Sequence, residues 1–215
     1  MAPDRIARAA SLLILATICS AAQAATPVAH RYADAEAGSR SLPLFDDAGS
    51  RQTPFAGISI YQSVQRSWTI VTFYLMFRET ADEETIRRDS YWVARRLVGS
   101  DAGKATAAPV INWAISDDCP DLDASVRSMD EAIAPRMELV VPGEGDPSEL
   151  VPDPTRYLLW SSVGRFQGTP YAAHLSVTSN GVSPVSAWIG ATVSRLQPCW
   201  TNAAPAGASA APPAR

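Results

Sequence analysis

Few residues in this chain have the type and spacing that acid–base chemistry requires. Histidine is the side chain that titrates near neutral pH, and the chain has two, His30 and His174. In YAAHLSVTS, strand alternation places His174 on the same face as Ser176, a pair that can act as base and nucleophile. No nucleophile elbow or Ser-x-x-Lys motif accompanies the pair. We expect His174 to face water with no catalytic role, and a hydrolase that uses His174 is the alternative.

Clustered carboxylates are the only candidate metal ligands. Four aspartates surround the predicted start of a helix: Asp117, Asp118, Asp121 and Asp123. Four carboxylates can hold calcium, but the spacing of an EF-hand is absent, and acidic residues are favoured in a first helical turn because they cap it and complement its dipole. Two histidines and an oxidised cysteine pair cannot build a zinc site. We predict no metal and no cofactor.

The first 24 residues have the three parts of a secretory signal peptide. Arg5 and Arg8 precede an apolar run over residues 9–19, and Ala22 and Ala24 supply small residues at both recognition positions. We expect cleavage near Ala24 and a periplasmic or secreted protein. The run is about half the ~20 residues that a spanning helix needs, so we predict no membrane span.

Export determines what the cysteines can do. Cys19 leaves with the signal peptide, because Ile18 before it is not the small residue that lipid attachment favours. Two cysteines then remain, Cys119 and Cys199, and an even pair in an oxidising compartment normally forms a disulfide. We predict the bridge Cys119–Cys199.

The charge balance excludes a nucleic-acid partner. The chain carries 18 basic and 22 acidic residues, a net charge of −4. Lys104 is the only lysine, and the arginines are scattered along the chain, which is typical of a GC-rich genome rather than of phosphate recognition.

Composition divides the mature chain into three parts. Residues 25–52 are small and polar without a sustained period, and we expect a loosely ordered leader. Residues 53–200 are one domain's worth of chain, large enough for a hydrophobic core. Residues 201–215 form an Ala/Pro tail with nothing to bury, and we expect disorder there.

The β-branched and aromatic runs of the domain predict about six or seven strands, arranged mostly as an antiparallel sheet. The predicted strands cover residues 54–62, 67–79, 90–98, 109–116, 137–141, 155–163 and 171–179. Residues 80–88 have a second interpretation, a helical turn, because Thr80 and Glu83 have the spacing of a capping box.

Two amphipathic helices complete the predicted fold. One runs from Pro120 to about Ile133 and the other from Pro184 to about Leu196, with Ser183 as its cap. The predicted disulfide joins the start of the first to the end of the second, so neighbouring helices must be antiparallel. The sequence therefore predicts an α+β fold with both helices on one face of the sheet.

The second predicted strand, WTIVTFYLMF, is apolar on both faces. Trp68, Ile70, Tyr74 and Met76 lie opposite the face that the two helices can cover. We interpret it as a central strand whose second face is covered by the leader or by a curled sheet. The alternative is a binding patch of these four residues that recruits a partner.

These patterns favour an exported bacterial envelope protein that acts by binding, as an accessory, inhibitor or ligand-binding module. Its partner is a protein or a small molecule of the envelope. The alternatives are the periplasmic hydrolase with His174 and a structural subunit of an envelope complex.

Overall fold

A computed structural model of the chain describes residues 32–46, 49–82, 85–102, 108–129, 132, 155–166 and 169–205. The helices are α1 (Tyr32–Ser41), α2 (Pro120–Arg127) and α3 (Pro184–Arg195). The strands are β1 (Leu44–Phe45), β2 (Arg51–Gln52), β3 (Ala56–Gln62), β4 (Ser67–Asp82), β5 (Thr85–Ser100), β6 (Val110–Ile115), β7 (Thr155–Phe166) and β8 (Thr169–Asn180). No helix in the described ranges combines the length and apolar composition needed to cross a bilayer.

Six strands form one antiparallel sheet, in the order β6-β5-β4-β3-β7-β8, and the predicted α+β class is confirmed. The alternative of a helical turn at residues 80–88 is wrong, because β4 and β5 keep pairing out to Asp82 and Thr85. The predicted strand at residues 137–141 and the predicted signal peptide both lie outside the described residues.

The helices α2 and α3 pack on one face of the sheet and are antiparallel, as predicted. The Cys119–Cys199 disulfide, with Cα atoms 5.8 Å apart, joins the start of α2 to the chain just after α3. At the opposite ends, the indole Nε1 of Trp188 donates to the hydroxyl of Ser128 at 3.1 Å. Ser183 caps α3 as expected, and its hydroxyl accepts from the backbone N–H of Ser186 at 3.0 Å.

The helical face holds the larger core of the described residues. Side chains from β3, β4 and β7 meet the apolar stripes of α2 and α3 there, including Val71, Phe73, Leu122 and Ile189. Each of these four side chains is fully buried. Both stripes are therefore hidden against a shared sheet surface, which is what two short amphipathic helices need for stability.

The opposite face is covered by the segment that the sequence assigned to a loose leader. Within residues 32–46 and 49–52 the structure has helix α1 and the hairpin β1–β2, both packed against the sheet. An ion pair between Glu36 and Arg40 supports α1, and Pro43 follows its end. Leu44 of β1 is fully buried beside Tyr74, in a second core cluster.

This cover removes the candidate binding patch. Trp68 is 2 % exposed, and Ile70, Tyr74 and Met76 are 0 % exposed. The apolar side chains of this β4 face are inside the molecule, so the interpretation of a covered strand is the correct one. The alternative of an open binding patch is therefore wrong. The sequence left it open because the composition of the polar segment before the domain did not show that this segment folds over the sheet.

The predicted tail begins as part of the fold. The backbone of Thr201 exchanges two hydrogen bonds of 2.8 Å with Trp113 of β6. The side chain of Asn112 donates to Asn202 at 2.7 Å. Residues 201 and 202 thus line one edge of the sheet, and residues 206–215 lie outside the described part.

Candidate ligand site beneath helix α1

One cross-strand row of the sheet carries an unusual set of polar groups on the face beneath α1. The register pairs Trp160 with Gly57, Gly57 with Thr72, Thr72 with Arg95, and Arg95 with Trp113. Directly paired residues of an antiparallel sheet project to the same side, with neighbouring Cβ atoms about 5 Å apart. We call these five positions the polar row.

Gly57 makes room for the indole of Trp160. A Cβ atom built on Gly57 would lie 2.5 Å from Cζ2 and 2.8 Å from Nε1 of that ring. The ring therefore lies over the glycine, with its Nε1 above the second position of the row. A glycine inside a strand commonly marks such a close approach. The guanidinium carbon of Arg40 from α1 lies 5.3 Å from the centre of the same ring system.

Arg95 is the charged member of the polar row, and it is buried. The residue is 4 % exposed, and its Nε atom has no hydrogen-bond partner. Its guanidinium carbon lies 5.8 Å from the centre of the Tyr74 ring, and in the described part of the chain no carboxylate pairs with it. Burial lowers the pKa of Arg95, because desolvation disfavours its charged form, while Tyr74 acts in the opposite sense.

Three further buried donors of this face also lack partners. Among the described residues, six buried side-chain atoms have no hydrogen bond, and four of these belong to the polar row or to α1 above it. They are Arg95 Nε, Thr72 Oγ1, Trp160 Nε1 and Ser39 Oγ. Buried polar atoms are nearly always hydrogen-bonded in folded proteins, so four unpartnered atoms on one sheet face single out this place.

Helix α1 is held over the row by contacts near its two ends. At the start, the backbone N–H of Tyr32 and the indole of Trp68 both donate to Asp101 Oδ1 at 3.1 Å, and the Tyr32 hydroxyl lies 2.8 Å from that of Ser59. At the end, the Tyr74 hydroxyl donates to the carbonyl of Leu42 at 3.0 Å. The buried Ser39 lies between these anchors, on the sheet side of the helix.

The chemistry of the site is that of binding through donors. Arginine and tryptophan side chains donate and do not accept, whereas the hydroxyls of Thr72 and Ser39 do both. The buried hydroxyl of Tyr74 is already occupied with Leu42, and burial raises the pKa of Tyr74 to about 12, so it stays protonated at neutral pH. The polar row therefore holds one cation, Arg95, together with hydrogen-bond donors that the described part of the chain leaves unpartnered.

The residues singled out by sequence lie mostly elsewhere. The Cys119 and Cys199 sulfur atoms are 2.01 Å apart, which confirms the predicted bridge. His174 belongs to β8, close to a register irregularity, but its side chain and all of His30 lie outside the described part. Of the predicted patch, Tyr74 and Trp68 serve the site indirectly, as anchors of α1.

The aspartates around the start of α2 are distributed among separate contacts. Asp117 pairs with Arg78, and Asp123 pairs with Arg127 within the helix. The residue at the N-cap is Cys119, and no side chain makes the cap hydrogen bond expected there. Within the described ranges, no three His, Cys, Asp or Glu side chains are grouped as metal ligands.

Sequence reasoning missed the polar row, although one signal for it was present. In SYWVARRLV, Arg95 and Arg96 are consecutive, so a strand must send one arginine to each face. Because helices were expected on one face only, the buried arginine could not be identified without knowing that α1 covers the other. Gly57 gave no sign of its role, since the indole above it comes from a distant strand.

The chain matches no protein-family model, no curated protein and no solved structure.

Proposed function

We propose that this chain is an exported bacterial envelope protein that acts without catalysis, as a binding module whose ligand lies in the polar row beneath α1. The observation that carries the proposal is Arg95, a buried cation without a counter-charge among the described residues. Removing one ion from water costs several kcal/mol, even after the surroundings relax. A ligand that meets Arg95 would recover much of that cost.

The other unpartnered polar atoms of this sheet face support binding as the role. Thr72, Trp160 and Ser39 each hold a buried polar atom that the described chain leaves unpartnered. Leaving a polar group buried and unsatisfied costs about 1–3 kcal/mol. A fold that keeps several such groups in one place is less stable than it could be, which is typical of a functional site. Recognition of a ligand that accepts hydrogen bonds is the simplest such function.

Two features support the proposed location. The Cys119–Cys199 bridge is the kind of bond that forms and persists in an oxidising compartment. The amino-terminal sequence has the pattern of a signal peptide that ends near Ala24. Mass spectrometry of the exported protein tests this part, and we expect a mature N-terminus at or near Ala25.

The binding proposal is tested by asking whether the protein retains a small molecule. The exported protein is dialysed against the small-molecule fraction of an envelope extract, washed and denatured, and the released compounds are identified by mass spectrometry. We expect a compound that wild type retains, and much less of it with Thr72→Val, which removes one donor at nearly constant shape. Arg96→Gln, on the opposite face, is the matched control.

Two results would contradict the proposal. One is that nothing is enriched on wild type. The other is that Thr72→Val and Arg96→Gln retain the same compound to the same extent, because the ligand would then lie away from the polar row.

A further inference from the structure

We infer that the ligand of the polar row is a small monovalent oxyanion of the carboxylate class, which Arg95 binds through its guanidinium group. This inference rests on the proposed binding function and names the ligand chemistry. It depends on three observations: the charge of the site, the geometry of its donors, and the contrast between Arg95 and its neighbour Arg96.

The net positive charge of the polar row favours a ligand with one negative charge. Arg95 is the only ionisable group in the polar row, and Tyr74 beside it is protonated at neutral pH. Arg40 of α1, which lies over the Trp160 ring, is neutralised by its ion pair with Glu36. Helix α1 ends close to Tyr74, so the negative end of its dipole, about half a charge, offsets part of the positive charge. A monoanion completes the compensation, whereas a dianion would leave a surplus negative charge buried.

The donors match the shape of a carboxylate. The Nε of an arginine and one of its terminal nitrogens form a planar fork that takes both oxygens of a carboxylate in parallel hydrogen bonds. The Nε of Arg95 is buried and has no partner. Thr72 is directly opposite Arg95 in the register, and the Trp160 indole lies over Gly57, the position next to Thr72. The unpartnered hydroxyl of Thr72 is therefore the donor nearest to Arg95 along the row.

The next residue shows what an arginine with a purely structural role looks like in this fold. Arg96, on the helical face, donates from Nε and Nη2 to Asn112 Oδ1 at 3.2 and 2.8 Å, and from Nη1 to Gln197 Oε1 at 2.9 Å. Its guanidinium carbon lies 4.6 Å from the Trp200 ring. Side chains of the protein thus accept from all three nitrogens of the Arg96 guanidinium, whereas Nε of Arg95 has no partner among the described residues.

The experiment measures the melting temperature of the exported protein against added sodium acetate, at fixed ionic strength and pH 7.5, with chloride as the balancing anion. Ligands that bind only the folded state raise the melting temperature in proportion to ln(1 + [L]/Kd). We expect acetate to raise it for wild type and for Arg96→Gln. The apparent Kd should be about tenfold weaker or more with Thr72→Val, and the acetate effect should be lost with Arg95→Met.

Arg95→Met also tests the burial argument without any ligand. Replacing an uncompensated buried cation with an apolar side chain of similar length removes a desolvation cost. In chloride buffer alone, Arg95→Met should therefore melt no lower than wild type. A lower melting temperature would show that the α1 dipole and Tyr74 already compensate Arg95, and would overturn the inference. Thr72→Val is a second test of acetate binding that leaves the charge of the site unchanged.

Further probes define the anion. Sulfate binding more tightly than acetate, or chloride acting equally well, would overturn the assignment to a monovalent carboxylate. The carboxylate can come from a free small acid or from the end of a peptide. N-acetyl-dialanine binding more tightly than acetate assigns it to a peptide end, and the reverse order assigns it to a free acid. If the amide of N-acetyl-dialanine binds with the same affinity as the acid, both carboxylate sources are contradicted.

Failure of this inference can be distinguished from failure of the proposed function. If wild type retains a compound from the envelope extract, Thr72→Val retains less of it, and acetate has no effect on the melting temperature, the row binds an uncharged ligand. If neither experiment gives binding, the binding function itself is wrong.

Discussion

The two faces of the central sheet differ in how fully their buried polar groups are hydrogen-bonded. On the helical face, the Arg96 guanidinium makes three hydrogen bonds to Asn112 and Gln197 and lies over the Trp200 ring. One residue earlier on the same strand, Arg95 is more deeply buried and its Nε makes none. The arginine of the helical face is therefore hydrogen-bonded through every nitrogen of its guanidinium group, whereas the arginine of the α1 face has a donor without a partner among the described residues.

The two covers are also attached differently. The helices α2 and α3 are tied by a disulfide between residues 80 positions apart, and by the hydrogen bond between Trp188 and Ser128. Helix α1 is held by non-covalent contacts only: two hydrogen bonds of Tyr32 at its start, and the Arg40–Trp160 contact and the hydrogen bond from Tyr74 near its end. A cover without a covalent link is consistent with the proposed entry of a ligand on the α1 face, whereas the disulfide keeps the helical face closed.

Removing the disulfide should have the largest effect and should act on the helical face. In the chain-entropy model, a bridge that closes a loop of this length contributes about 4 kcal/mol. We expect Cys119→Ser combined with Cys199→Ser to lower the unfolding free energy by about that amount in urea titrations. The acetate response should survive wherever the variant remains folded. Loss of that response in folded variant protein would show that the two faces are not independent.

The α1 face should respond most to alkaline pH. Burial raises the pKa of Tyr74 to about 12 from 10 in the unfolded chain, and burial of Tyr32 raises its pKa as well. A raised pKa gives stability that is complete below pH 10 and lost as pH rises to about 12. For Tyr74 this is about 2–3 kcal/mol. Urea titrations at pH 9 and 11.5 should show the loss in wild type.

Tyr74→Phe is the matched variant for this measurement. It removes the ionisable hydroxyl, so the decrease between pH 9 and 11.5 should be smaller than in wild type. At pH 7 the variant should lose about 1 kcal/mol, because the hydrogen bond to Leu42 is gone. An unchanged alkaline decrease would assign the effect to other tyrosines.

Arg96→Met should produce the smallest effect and the clearest contrast with Arg95→Met. It removes three hydrogen bonds from a partly exposed arginine, and we expect a loss of about 1 kcal/mol at neutral pH. Methionine at position 95 should lower stability less than methionine at position 96, or raise it. The reverse order would contradict the contrast between the two faces.

The elements that sequence predicted correctly are those with a local signal. Helices α2 and α3 follow from stripes at helical spacing with a proline at each start, and the two cysteines that remain after the predicted signal peptide have a single way to pair. Helix α1 was missed because YADAEAGSRS is mostly small and polar, and its sheet-facing side includes Ser39 rather than an apolar stripe. Its stability comes from tertiary contacts such as that of Tyr32 with Ser59.

The candidate site depends on that missing element. Alternation along β5 places Arg95 and Arg96 on opposite faces, but it does not reveal which arginine is buried. Burial of Arg95 follows only when α1 and the β1–β2 hairpin are known to cover the sheet. The row itself joins β7, β3, β4, β5 and β6, and such distant pairings are not visible in any one segment.

The way in which α1 is attached determines how often it can open. A ten-residue helix held near its ends can detach by local opening, whereas β4 is paired on both sides along residues 67–73 and can open only when the sheet unfolds. Amide hydrogens of α1 should therefore exchange with solvent at a rate set by that local opening. Transient openings of this kind, in the microsecond-to-second range, would let a small molecule reach Arg95 while the sheet stays intact.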